Sequence, residues 1–122
     1  MNSSQMLNLT SRREWRNWLS EHHGSKDGVW LIFYKKSSGK ATIDYDEAVE
    51  EAVCFGWIDG QLKRIDDRRY VRRFTQRRQG SNWSDSNRQR ALRLLREGKM
   101  TEAGRSVLPP DVLPRKQRKT EI

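Results

Sequence analysis

Apolar residues recur along the chain with two different periods, and the switches between them mark out the elements. Trp15, Trp18, Leu19 and His22 fall at helical spacing behind Ser11-Arg12-Arg13-Glu14, a capping box whose serine and glutamate satisfy free helix amides. Gly24 is the expected stop of this helix. Residues 29–34 form an unbroken β-branched and aromatic run, apolar on both faces, which predicts a central strand covered on each side. Asp44 caps a second helix with Tyr45, Ala48, Val49, Ala52 and Val53 inward and Asp46, Glu47, Glu50 and Glu51 outward. Gly56 is placed to end it in the left-handed conformation. Residues 58–65 and 69–78 then read as two strands turning at Asp66-Asp67-Arg68. Alternation points Tyr70, Arg72 and Phe74 toward the core, and Val71, Arg73, Thr75 and Arg77 outward beside Gln61 and Lys63. Ser84 caps a helix over residues 85–97 with Gly98 as its stop, and residues 101–108 add a short helix.

The expected fold class is therefore α+β, in the order α-β-α-β-β-α-α. A small, mostly antiparallel three-stranded sheet is covered by helices. Residues 1–108 form a single domain, and the proline-containing, basic stretch 109–122 is expected to be a disordered tail.

Composition changes this picture in one respect. The chain has 122 residues, 34% of them hydrophobic, with a mean hydropathy of −1.03, so its core is small and leans on five tryptophans. The net charge of +9 is uneven: residues 1–60 hold seven Lys/Arg against nine Asp/Glu, and residues 61–122 hold eighteen against seven. A basic second half suits phosphates, acidic headgroups or an acidic partner, with a merely solvated basic surface as the alternative. Arginine outnumbers lysine seventeen to eight, and its planar fork favours two-point recognition of carboxylate and phosphate. A lone cysteine, Cys54, excludes an internal disulfide framework. No stretch approaches the roughly 18 apolar residues of a membrane span. The N-terminus lacks the basic and apolar regions of a secretory signal, so a cytoplasmic location is expected.

Two blocks are distinctive: Phe55-Gly56-Trp57-Ile58-Asp59-Gly60, and the arginine-rich run that closes on Ser81-Asn82-Trp83-Ser84. Together with Glu14-Trp15, Asp27-Gly28-Val29-Trp30 and residues 95–101, they resemble the YdeI/OmpD-associated family, the bacteriocin-protection proteins of bacteria. The chain departs from that pattern at Gln76, where proline is usual, and in ending soon after Leu113. The resemblance implies a role in tolerating antimicrobial peptides and an association with an outer-membrane porin, and no established reaction.

The residues themselves point to an anion site. A helix N-terminus offers free amides and partial positive charge. Here it follows Arg77 and Arg78 directly, with hydroxyls at Ser81 and Ser84. The expected ligand-binding set is Arg73, Thr75, Arg77, Arg78, Ser81, Trp83, Ser84 and Asn87, with Asp59 orienting an arginine. The competing structural reading makes Ser84 a simple cap and Trp83 core. It pairs the arginines with Asp59, Asp66 and Asp67. No paired carboxylates, metal-ligand spacing, cofactor motif or Ser-His-Asp order supports catalysis, so no catalytic residue, metal or cofactor is assigned. His22 and His23 fit a helix end, and Cys54 fits the core. The first reading is a non-catalytic protein binding an anionic small molecule or acidic protein partner. A nucleic-acid binder with Trp83 or Tyr70 as stacking ring is the second, and a small enzyme using Asp59 or a histidine the third.

Overall fold

The computed structural model describes residues 5–112. Its elements in chain order are β1 (Met6–Leu7), α1 (Arg12–His22), β2 (Gly28–Tyr34), α2 (Tyr45–Cys54), β3 (Trp57–Arg64), β4 (Arg69–Gln76), α3 (Asp85–Arg96) and α4 (Glu102–Arg105). Each helix begins where a short polar side chain accepts an amide. Ser11 takes the Glu14 amide, Asp44 that of Glu47, Ser84 that of Asn87 and Thr101 that of Gly104. Gly56 and Gly98 sit at φ +77° and +73° behind α2 and α3, the left-handed residues those ends require. Gly24 has no such conformation, and His23 closes α1 with its amide on the Leu19 carbonyl.

The fold is α+β with a four-stranded mixed sheet in the order β1-β2-β4-β3, not a three-stranded one. The extra strand, β1, is two residues long and runs parallel to β2, pairing Met6 with Trp30 and Leu7 with Leu31. The other pairings, β2 with β4 and β3 with β4, are antiparallel. Helices pack on one face of this sheet. There Trp15, Leu19, Val49, Val53, Ala91 and Leu94 meet Val29, Leu31, Phe33, Trp57 and Phe74 in a single core. Leu108 and Val112 join it, so the chain is packed past residue 108; the rest of the expected tail, residues 113–122, lies outside the described residues.

The opposite face carries a second, smaller cluster of Trp30, Ile32 and Val71, edged by Tyr34 and Ile65, with no helix residue in it. The apolar run of β2 is buried on both sides, as its composition requires. On this side the cover comes partly from long cationic side chains: Lys63 Nζ and Arg73 Cζ stand 5.2 and 5.5 Å from the Trp30 ring centroid.

The acidic residues of α2 do not simply face water. Glu51 is only 4% exposed. It accepts from Arg12 Nε and Arg16 Nη1, both at 2.8 Å. Glu50 accepts from Arg12 and Arg93, and Asp46 from Arg90. Arginines of α1 and α3 thus clasp α2 from two sides, and part of the charge asymmetry is used inside the fold. Cys54 is buried at the end of α2, and burial together with the Glu51 charge pushes its thiol up to about 11.

Candidate functional site

β4 ends at Gln76, whose side-chain amide donates to the carbonyls of His23 (2.9 Å) and Lys26 (2.7 Å). Its backbone amide reaches Asp27 O. A proline here would remove that amide and both side-chain donors. The chain then leaves the sheet, and the Arg77 amide turns to the Gly56 carbonyl at 2.8 Å. Arg77 is consequently not an outward-facing strand residue. Its side chain is 6% exposed. It lies over the Trp83 ring, with Cζ 3.7 Å from the centroid.

Arg77 Nη1 donates to Ser81 Oγ at 3.0 Å and to the Asn82 carbonyl at 2.9 Å. Its Nε and Nη2 are buried and bonded to nothing. No carboxylate lies within ion-pair distance of it among the described residues. Burial lowers its proton affinity, and only the charge of Asp59 works against that. Beside it, Ser84 caps α3, and Asn87 is buried one turn in, its Oδ1 accepting from Arg90 Nη1 at 3.1 Å.

Asp59 occupies the strand next door, just before a register shift between Asp59 and Leu62. Tyr45, at the first position of α2, donates its hydroxyl to Asp59 Oδ2 at 2.6 Å. Arg72 lies over the Tyr45 ring with Cζ 4.7 Å from the centroid, and its Nη1 is 3.7 Å from the same oxygen. Arg72 Nη1 also donates to the Gly60 carbonyl that the irregularity frees, at 3.0 Å. Burial, then the Asp59 hydrogen bond and charge, push the Tyr45 phenol up to about 12. The result is one polar neighbourhood beneath the α2 and α3 N-termini, composed of Tyr45, Asp59, Arg72, Arg77, Trp83, Asn87 and Arg90.

The sequence-based set divides over this geometry. Arg77, Ser81, Trp83, Ser84, Asn87 and Asp59 come together on the helix-covered side. Arg73 and Thr75 do not: they pair with Trp30 and Gly28 and share their side of the sheet, away from the helices. The single outer face expected for Arg73, Thr75 and Arg77 is therefore corrected, because alternation stops where β4 stops. Arg78 is exposed, and its carbonyl accepts the Ser81 amide. Neither proposed stacking ring is free: Tyr70 stacks on Phe33 at 5.3 Å, and Trp83 lies under Arg77, which is itself buried and held in place by Ser81 and Asn82. Asp66 pairs with Arg69, and Asp67 with Arg64, and not with Arg73, Arg77 or Arg78 as the structural reading held.

Tyr45, Arg72, Asn82 and Arg90 were absent from that set. Arg72 carried a signal, since a strand alternation that turns an arginine toward the core demands a carboxylate partner, and Tyr45 a hydroxyl needing an acceptor when buried. Away from this cluster, α4 and His23 line an open groove of about 500 Å³. No helix among the described residues is long and apolar enough to cross a membrane. No curated protein and no solved structure matches the chain. Residues 7–107 match the model of a domain of unknown function, DUF8412, and with most of its length inside that match the chain belongs to this family.

Proposed function

We propose that the protein is a non-catalytic binding domain that takes an anionic group at Arg77. The observation that supports this most directly is a guanidinium 6% exposed whose Nε and Nη2 have no partner. A buried, unmatched charge is costly, and a carboxylate or phosphate oxygen placed against those two nitrogens relieves that cost with a two-point hydrogen bond. The α3 N-terminus adds favourable field on the same side. Trp83 supplies a rigid wall, and the turn after Arg78, with Gly80 at φ +75°, borders the site.

Tyr45 and Arg72 hold Asp59, which keeps a carboxylate near the site without letting it pair with Arg77. That arrangement favours exchange of an external anion over permanent internal neutralisation. The cellular role we propose, protection against bacteriocins or antimicrobial peptides, rests on the resemblance of the two distinctive blocks to the YdeI/OmpD-associated proteins. A porin partner and a cytoplasmic location belong to that same proposal.

Thermal shift against inorganic phosphate, sulfate and citrate, with Arg77→Met beside the wild type, tests the binding site. Methionine keeps a long side chain over Trp83 and removes the charge. The ligand-free variant is expected within about 1 kcal/mol of the wild type, since removing a buried charge without a carboxylate partner offsets the loss of its hydrogen bonds to Ser81 and Asn82. The anion-induced rise in Tm is expected in the wild type and lost in the variant. A rise that survives in Arg77→Met overturns the reading.

A further inference from the structure

The helix-free face of the sheet has a different chemistry from the Arg77 site. Its centre is the Trp30 indole, 6% exposed and flanked by Ile32 and Val71. Over it stand Lys63 Nζ at 5.2 Å and Arg73 Cζ at 5.5 Å. Neither cation has a carboxylate within ion-pair distance among the described residues, whereas Arg69 on the same face is matched by Asp66. Lys35 and Arg68 are exposed where β2 and the hairpin end, likewise outside any ion pair among the described residues. From Arg73 to Arg69 the strand runs roughly 13 Å at about 3.3 Å per residue. Unmatched positive charge thus flanks the Trp30 ring, which stands opposite Arg73 at one end of this stretch, with Tyr34 opposite Arg69 at the other.

We propose that this face binds single-stranded nucleic acid, with Lys63 and Arg73 turning off the indole onto phosphates and Trp30 stacking the base between them. Charge complementarity requires a polyanion, and the ring selects among polyanions. An acidic peptide meets the cations but offers the indole no π-face in register. A duplex hides its bases. An anionic lipid surface calls for apolar side chains to insert, and on this face Met6 is the only large one exposed among the described residues. Cation–ring contacts at exposed positions are weak and are readily exchanged for phosphate contacts, and base–aromatic stacking tolerates any sequence.

The test is fluorescence anisotropy of a short mixed-sequence single-stranded oligonucleotide with the full chain across a salt series. Competitors are the duplex form, polyglutamate and vesicles containing phosphatidylserine. Binding is expected to favour the single strand and to weaken with salt. Each of Lys63→Gln and Arg73→Gln is expected to lower the slope of log affinity against log salt by about 0.7, the value for one phosphate contact on a single strand. Trp30→Leu keeps the apolar volume and is expected to weaken binding several-fold with that slope unchanged. Equal affinity for polyglutamate, preference for the vesicles, or slopes unmoved in both cation variants would overturn the assignment. Lys63 is exposed, so its variant decides the matter even where the Trp30 variant is too unstable to use.

Discussion

A guanidinium carries five N–H donors, and Arg77 commits only the pair on Nη1 within the chain. Lysine in its place offers no planar fork, so the conservative exchange is not conservative here. Tyr45 and Asp59 are the complementary case, a donor and an acceptor that satisfy each other at 2.6 Å. Their pairing sets an alkaline limit. The phenol titrates from 10.0 in the unfolded chain and at about 12 in the folded one. Between those values the folded state holds the proton and the unfolded state has released it, so stability present below the lower value is lost as pH rises toward the upper. Urea unfolding of Tyr45→Phe and wild type across that window tests this. The variant is expected about 1 kcal/mol less stable at neutral pH, from the lost hydrogen bond, and to lose less stability on going alkaline. Cys54 ionises in both proteins and cancels in the comparison. Identical alkaline slopes would remove Tyr45 as the source.

Among the elements, α4 is fastened through its first turn. Thr101 places both its amide (3.0 Å) and its hydroxyl (2.6 Å) on the Cys54 carbonyl, clamping the start of α4 to the end of α2. Gly104 lies against the same carbonyl so tightly that an added Cβ falls well inside van der Waals contact with Cys54 O, and 2.8 Å from Met100 Cε. Backbone cannot swing aside as a side chain does, so Gly104→Ala is expected to cost about 2–3 kcal/mol. Chemical denaturation measures that cost, and a change under about 0.5 kcal/mol, the range of an ordinary surface substitution, would show the packing to be slack. How much of this order was legible depends on its range in the chain. The caps at Ser11, Asp44 and Ser84 are local chemistry, and the helices behind them begin as the residues predict. β1 was not legible, because two residues become a strand only by pairing with Trp30 and Leu31, far along the chain. The hairpin was readable, but its alternation was carried one residue too far: Gln76 is fastened to the loop at His23 and Lys26, and Arg77 turns to the other side. The helix-facing half of the site was visible as residue types. Its convergence with Tyr45 and Arg72 was not, since that depends on which face each strand presents.

For the whole molecule, the sheet separates two basic sites that the sequence runs together. The net charge of +9 is not one uniform field. Arginines of α1 and α3 are absorbed by the acids of α2. Arg72 is shared between Asp59 and the Tyr45 ring. Among the cations of the described residues left without an ion pair are a buried fork at Arg77 and a more open strip around Lys63 and Arg73. These differ in kind: the first is enclosed and suited to one anionic group, the second open and suited to a chain of them. They share no hydrogen-bond or ion-pair partner, and residues without shared partners combine additively. Lys63 and Arg73 share the Trp30 ring, so the triple variant Lys63→Gln, Arg73→Gln, Arg77→Met is expected to show the stability change of the Lys63→Gln, Arg73→Gln double variant plus that of Arg77→Met, within about 0.5 kcal/mol. Crossing the two assays sharpens this. Arg77→Met alone is expected to leave the oligonucleotide salt slope at its wild-type value, and the two sheet substitutions to leave the phosphate-induced Tm shift intact. Loss of both responses in any one of these variants would mean that the faces act together, as a single continuous basic surface wrapped around the sheet edge.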